Sequence, residues 1–192
     1  EDKLLYPPPL GPRRLQPRFA QRSGCKFRFA IKRFTSQSFA PMKIALDAMG
    51  GDFGPPNLVA GAVMALRDYK QINKLYLVGD SDKIENELRK HQCNDSRIDI
   101  VHSTQVVDMS DRAWTAVRRK KDSSISRAVD LVKHGDAEAV VSAGHTGAAV
   151  AASMIKLRTL PGIDRPGSAA VLPTETNVFV LIDAGANIDA RP

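Results

Sequence analysis

Short apolar runs alternate along this chain with segments whose apolar residues recur every three or four positions. The runs at 43–46, 74–78 and 98–102 end in Asp, Gly or polar residues, a pattern that predicts strands. The segments at 56–69 and 81–90 place their apolar residues on one helical face, so each predicts an amphipathic helix. Because strands and helices alternate with short connections, the pattern predicts βαβ units and a parallel sheet.

The helical periods also predict which side chains form the core. The first helix would begin near Pro55 and Pro56, since a first helical turn tolerates the missing proline N–H. The second would be capped by Ser81. The predicted inward-facing residues are Leu58, Val59, Ala62, Val63, Leu66, Ile84 and Leu88.

The second half of the chain repeats this alternation. The predicted elements are a loop at 106–110, a helix at 114–121, a helix at 124–134 capped by Asp122, Ser123 and Ser124 and ended by Gly135, a buried strand at 139–142, an alanine-rich helix at 148–157, and strands at 168–172 and 178–182. We assign all the strands to one sheet.

Three glycine turns follow predicted strands, at Gly50-Gly51, at Gly144–Gly147 and at Gly185. Carboxyl ends of parallel strands share one edge of a sheet, so we expect these turns to converge on one site. Glycine lets backbone approach a ligand closely, and the free N–H groups of a following helix can face an anion. In the second turn the hydroxyls of Ser142 and Thr146 add further donors, which suits phosphate.

A purely structural interpretation of these turns stays open. Gly50-Gly51 would then only make a tight turn, and Asp52 would only cap the first helix. In the second turn, small residues would only permit close packing of helix on sheet. His145 alone would be an ordinary loop residue.

The charge distribution separates a tail from a domain. Residues 1–41 hold nine Lys or Arg and two acidic residues, which accounts for the whole net charge of +7. The remainder carries 19 basic and 19 acidic residues, so no general affinity for nucleic acid is expected. The tail sustains no helical or strand period and holds six prolines, so we predict a disordered basic extension over 1–41 and a folded domain over 42–192.

Composition excludes several other classes. Cys25 and Cys93 have no CxxC partner and indicate neither a disulfide framework nor a zinc site, as in cytosolic proteins. No apolar run approaches the roughly 20 residues that span a bilayer. The chain reaches Pro192 without a helix to close its last strand, so we expect the domain to continue beyond it.

A series of motifs, in order and spacing, resembles the PlsX family of phosphate acyltransferases from Met42 onward. The motifs are MKIALDAMGGDFGP from Met42, LVGD from Leu77, VDM from Val107, AVRRKKDSS from Ala116, VSAGHTGA from Val141, LPGIDRP from Leu160, LPT from Leu172 and LIDAGANID from Leu181. The family usually has Asn where this chain has His145.

The resemblance implies a Rossmann-like three-layer α/β/α sandwich with a mostly parallel sheet. It implies a cytoplasmic enzyme of phospholipid synthesis that moves a long-chain acyl group from acyl carrier protein to inorganic phosphate. It further implies a homodimer and peripheral association with the membrane. No cofactor, metal or nucleic acid is expected.

Attack of phosphate on a thioester needs a held dianion and a stabilised oxyanion. We expect Asp47 and Asp52 to orient donors or the first turn, because a carboxylate repels phosphate. The candidate catalytic residues are Asn187, His145 and Asp52. The candidate phosphate-binding residues are Ser142, Gly144, His145, Thr146, Gly147 and Arg165. The candidate site-shaping residues are Asp47, Gly50, Gly51, Asp183 and Gly185. The candidate carrier-docking residues are Arg118, Arg119, Lys120 and Lys121.

Two other functions stay open on sequence alone. A dehydrogenase of the related isopropylmalate type would need a nucleotide fingerprint, and no GxGxxG followed by an acidic residue is present. A binding protein for phosphate or the carrier, without turnover, is the second alternative. The basic cluster at 118–121 also fits a solvated helix end that complements the helix dipole.

Overall fold

The computed structural model describes residues 41–163, 166–174 and 177–182. Strands and helices alternate through most of this range. The elements are β1 (Met42–Asp47), α1 (Pro55–Asp68), β2 (Ile72–Gly79), α2 (Ser81–Lys90), β3 (Ile98–His102), α3 (Ala113–Arg119), α4 (Ser124–His134), β4 (Ala139–Ser142), α5 (Thr146–Lys156), β5 (Ala169–Pro173) and β6 (Val178–Ile182). The described part contains no helix long and apolar enough to cross a membrane.

Four strands form a parallel sheet in the order β3-β2-β1-β4. The chain therefore moves outward from β1 through β2 to β3, and then returns to place β4 on the other side of β1. This reversal is the switch point of a Rossmann-like sheet, and ligands bind at the carboxyl ends of the two strands that flank it. In the register of β1 with β4, Asp47 lies opposite Ser142.

Helices cover both faces of this sheet, which confirms the three-layer prediction. On one face α1 and α2 bury Val59, Leu66 and Ile84 against strand residues such as Leu46 and Leu77. The predicted apolar face of α1 is buried, apart from a half-buried Leu58. On the other face α4 packs on the strands, α5 packs on α4, and α3 packs on α5.

The last two strands depart from the prediction. β5 and β6 pair with each other, antiparallel, in a separate two-stranded sheet. Their apolar runs were assigned to the parallel sheet, but such runs specify neither the direction nor the partner of a strand. The third glycine turn therefore does not follow a strand of the parallel sheet, and Gly185 itself lies outside the described residues.

β4 was predicted to be a buried strand, and this is wrong in the described part of the chain. It is the edge strand of the parallel sheet, and Val141 is 49% exposed. Apolar runs predict burial on both faces only for strands that are flanked on both sides.

The helix caps also differ in detail. Asp80, not Ser81, caps α2, because its carboxylate accepts from the Asp82 and Lys83 amides. At the start of α4 the Ser123 side chain makes no capping hydrogen bond. Gly135 ends the helix as predicted and adopts the left-handed conformation, with φ 83°. Gly54 precedes α1, so Asp52 does not cap that helix.

Arg97 joins three segments at the amino edge of the sheet. Its guanidinium donates to Asp95 and to the carbonyls of Leu66 and Ile72. Hydrogen bonds from Arg97, above all from its side chain, lower the pKa of Asp95 to about 2. The pair therefore links the end of α1 and the start of β2 to the turn before β3.

Replacing Asp95 with Asn should lower the melting temperature at pH 7 by about 2–4 °C. Because the folded pKa of Asp95 lies below its ordinary value of 3.8, its contribution is complete above about pH 5 and is lost as the pH falls toward 2. Melting curves of both proteins should thus converge on acidification. Asp136→Asn, at an exposed position, is the control. A temperature gap that stays constant down to pH 2 would contradict this assignment.

Candidate active site

Two glycine turns meet where β1 and β4 end. A Cβ placed on Gly50 would lie 2.7 Å from the Gly144 nitrogen, and one on Gly144 would lie 3.1 Å from the Gly50 Cα. Gly51 has φ 78°, and a Cβ there would meet the Ala143 carbonyl oxygen at 3.3 Å. The first two of the three predicted turns therefore converge, and side chains larger than hydrogen do not fit between them.

A line of hydrogen bonds crosses the same junction. The Ser142 hydroxyl donates to Asp47 Oδ2 at 2.8 Å and accepts from the Gly144 amide at 3.1 Å. Asp47 also accepts from the Met49 amide at 3.2 Å and is only 4% exposed. Asp47 thus accepts from one donor on β4 and from one in the turn after β1, and its site-shaping role stays a prediction. The Gly144 N–H, which was predicted to be free for an anion, donates to the Ser142 hydroxyl instead.

α5 begins directly after the second turn. His145 precedes it as the N-cap, and its Nδ1 accepts from the Ala148 amide at 3.4 Å. Its Nε2 lies 3.1 Å from the Asp111 carbonyl oxygen, which can only accept, so Nε2 carries the proton. Thr146 is exposed in the first turn of the helix. Both ring nitrogens of His145 are therefore engaged, and its place in the site is that of a fixed cap.

A small cavity of about 10 Å³ lies beneath the turns. This is about the space that one water occupies, so an anion would bind at the solvent side of the turns rather than beneath them. The residues that line it are Asp47, Gly50, Val106, Val107, Ser124, Ile125, Ser142, His145 and Ala148.

Sequence reasoning missed several of these residues. Val106 and Val107 come from the loop after β3, and Ser124 comes from the first turn of α4. The sequence predicts Ser124 only as a cap, and it marks Val107 only as the first residue of the VDM motif. Only the fold brings them beside Asp47 and Ser142.

The four basic residues predicted to dock a carrier do not share one environment. Arg118, Arg119 and Lys121 are exposed. Lys120 instead pairs with Asp111 at 2.7 Å and donates to the Val106 carbonyl at 2.9 Å. Its pairing with Asp111 raises the pKa of Lys120 and lowers the pKa of Asp111. Lys120 therefore holds the loop beside the site.

An open cleft of about 600 Å³ lies beside the exposed basic residues. Val117 and Ile155 give it apolar surface. The charged residues that line it are Arg118, Lys121, Arg127, Lys156, Asp122 and Asp130. Arg127 and Lys156 pair with the two carboxylates, which leaves Arg118 and Lys121 as the positive excess among these lining residues.

Asp122 fixes the other end of the loop. Hydrogen bonds from the Thr104 hydroxyl and amide, together with Arg127, lower the pKa of Asp122 to about 2. Gln105 forms a parallel bridge with Ser123 and accepts from the Asp122 amide. The loop between β3 and α3 is thus attached to the connection between α3 and α4, through Lys120 and Asp122.

Four predicted site residues, Arg165, Asp183, Gly185 and Asn187, lie outside the described residues. Asp52 is exposed in the first turn. Gly147 packs in the first turn of α5, where a Cβ would lie 3.1 Å from that of Ala113. In the described part of the chain, no group of His, Cys, Asp or Glu could hold a metal ion.

Comparison with solved structures shows the same fold elsewhere. A phosphotransacetylase from Streptococcus pyogenes is similar with a TM-score of 0.56 at 24% identity, over 78% of this chain and 48% of that one. The EutD phosphotransacetylase from Staphylococcus aureus gives a TM-score of 0.53 at 18% identity, over the same shares. At these identities the likeness establishes the fold alone.

Comparison with sequences is more specific. A "Phosphate acyltransferase" from Akkermansia muciniphila is 50% identical over 151 residues, and one from Pelotomaculum thermopropionicum is 48% identical over 151. Each match covers 79% of this chain, which in turn spans 43% of the length of these relatives. The family model described as "Fatty acid synthesis protein" matches residues 42–192. The chain therefore belongs to the fatty acid synthesis protein family, the PlsX family that its motifs resemble.

Proposed function

We propose that the whole protein to which this chain belongs is a phosphate acyltransferase. It would transfer a long-chain acyl group from acyl carrier protein to inorganic phosphate, giving acyl phosphate for phospholipid synthesis. Family membership and relatives named phosphate acyltransferase support this proposal.

One observation of the site carries the proposal furthest. The two glycine turns touch at the carboxyl ends of β1 and β4, and α5 begins beside them. A helix N terminus presents backbone N–H groups and a partial positive charge to an anion. This arrangement suits phosphate at the solvent side of the turn.

The proposed reaction is a direct displacement. A phosphate oxygen forms a bond to the thioester carbonyl carbon, the carbon–sulfur bond breaks, and the electron pair leaves with sulfur as a thiolate. The α5 N terminus would hold the dianion, and Asp47 and Ser142 would fix the turn that places it. Arg165 as a second phosphate ligand, and Asn187 as a donor to the carbonyl oxygen, stay predictions from the sequence.

The test is the loss of acyl carrier protein thioester, measured in the whole protein as phosphate is varied. We expect consumption to rise with phosphate to saturation and to need no nicotinamide cofactor. Saturable phosphate binding without thioester loss would favour the non-catalytic alternative. Cofactor-dependent oxidation would favour the dehydrogenase.

We further propose that the cleft beside Arg118 and Lys121 docks the acidic carrier protein. Replacing both residues with Glu should raise the Michaelis constant for the carrier about 10-fold at low salt and flatten its salt dependence, because encounter between opposite charges is screened. Lys120 is left intact, since it holds the loop beside the site.

Arg67 and Lys70 provide the matched control. Both are exposed at or just after the end of α1, and their replacement by Glu makes the same change in net charge. We expect that control to leave the Michaelis constant for the carrier within about 2-fold of wild type. Equal shifts in the two double variants would show a general charge effect and remove the cleft from docking.

The resemblance to the family also supports a homodimer that works in the cytoplasm and associates with the membrane from that side. Sedimentation of the whole protein measures whether it is a dimer. Flotation with vesicles that contain anionic lipid measures membrane association, and cell fractionation measures localisation.

A further inference from the structure

Lys120 lies just after α3, with its ammonium group among acceptors of a single loop. Its Nζ donates to Asp111 Oδ2 at 2.7 Å and to the Val106 carbonyl at 2.9 Å, and lies 3.6 Å from Asp108 Oδ2. An ammonium group has three protons to donate, and these three acceptors all belong to residues 106–111. The two carboxylates more than offset its single positive charge, so the charge is directed to the loop rather than to an external anion.

The same loop closes on itself and reaches the site. The Asp108 amide donates to Asp111 Oδ2 at 2.9 Å, and the Asp111 amide donates to the Asp108 carbonyl at 3.1 Å. The Asp111 carbonyl in turn accepts from Nε2 of His145. One residue of this turn, Asp111, thus receives Lys120 on its side chain and His145 on its backbone.

His145 carries the connection to the helix. Because Nε2–H is committed to the Asp111 carbonyl, Nδ1 can accept from the Ala148 amide at 3.4 Å, beside the 2.9 Å bond from that amide to the His145 carbonyl. If the Asp111 carbonyl moved, the ring would lose both the contact that fixes its tautomer and its alignment with the first turn of α5.

We infer that Lys120 is a positioning residue for phosphate, acting through the 106–111 loop and His145 on the N terminus of α5. This inference rests on the proposed function, in which that N terminus receives phosphate. It replaces the carrier-docking role that the sequence predicted for Lys120.

The first test compares Lys120→Met with Lys133→Met in the whole protein. Lys133 is exposed near the end of α4 and belongs to neither proposed surface. Lys120→Met should raise the Michaelis constant for phosphate about 5- to 10-fold, the worth of one displaced hydrogen bond, and that for the acyl donor less than about 2-fold. Lys133→Met should change neither constant. Equal increases in both constants with Lys120→Met, together with a lower melting temperature, would overturn the inference.

The second test repeats Lys120→Met in a His145→Asn background. Asn can still cap a helix, but it lacks the ring nitrogen that meets Asp111. If Lys120 acts through His145, Lys120→Met should add less than about 2-fold to the phosphate constant in this background. The same increase in both backgrounds would show that Lys120 acts by another route.

A third measurement does not depend on turnover. Nitrogen-15 spectra of the His145 ring should show the Nε2–H tautomer in the wild type and faster exchange of that ring proton in Lys120→Met. An unchanged ring signal would contradict the connection. If the wild type shows no phosphate-dependent loss of thioester, the proposed function fails, and this spectrum still decides whether Lys120 holds His145.

Discussion

Replacing Gly50 with alanine is expected to lower kcat/KM for phosphate about 100-fold, although it adds one methyl group. The new Cβ would lie 2.7 Å from the Gly144 nitrogen. The two nearest atoms that the Cβ would meet belong to the Gly144 backbone, which cannot swing away as a side chain could. Overpacking of this kind costs about 1–3 kcal/mol of stability, and a displacement near 1 Å in a site can cost about 100-fold in rate.

Gly61→Ala is the matched control for this prediction. Gly61 lies within α1, and a Cβ there meets nothing within 4 Å. Because alanine favours helix by about 1 kcal/mol over glycine, the control should keep full activity and melt at the same or a higher temperature. Full activity in Gly50→Ala would show that the two turns need not touch for catalysis.

Ser142→Ala should also give a large loss, about 10- to 150-fold in kcat/KM for phosphate, which corresponds to about 1.5–3 kcal/mol for a hydrogen bond to a charged group. The change removes the donor to Asp47 Oδ2 and the acceptor for the Gly144 amide together. Within the described part of the chain, the buried Asp47 carboxylate would then keep only its hydrogen bond from the Met49 amide. Steady-state kinetics with each substrate varied in turn measure the effect.

Two further substitutions separate chemistry from folding in that experiment. Ser142→Thr keeps the hydroxyl and should recover most of the activity, and Ser96→Ala, at an exposed loop position, should be neutral. Combining Ser142→Ala with Asp47→Asn should cost less than the sum of the single changes, because the two groups share one hydrogen bond. Additive losses would mean that Asp47 and Ser142 act independently.

Much of the parallel sheet was predictable because local pattern decides it. β3 has the predicted bounds, and α2, β1, β2 and α1 differ only at their ends. For these elements the period of the apolar residues and the bounding glycine, proline or polar residues indicate the same structure. The convergence of Gly50 with Gly144 followed from one topological rule, that parallel strands end at one edge.

The remainder depends on contacts between distant parts of the chain. The local sequence does not specify that β5 and β6 pair antiparallel with each other, because an apolar run does not determine the direction of a strand. Lys120 belongs to a basic run in the sequence, and only the fold brings it onto Asp111. His145 gives no sequence signal that both its ring nitrogens are occupied. Burial of β4 was overestimated because, among the residues that the structure describes, strand order places it at the edge of the sheet.

The central claim is that phosphate is the acyl acceptor of the whole protein. The most direct measurement supplies acyl carrier protein thioester and phosphate labelled with oxygen-18 at every position, and follows phosphorus-31 resonances during turnover. We predict an acyl phosphate signal that keeps all of the label, including the bridging oxygen, and grows as the thioester disappears. Consumption of the thioester with no acyl phosphate signal, at a rate independent of phosphate, would contradict the account.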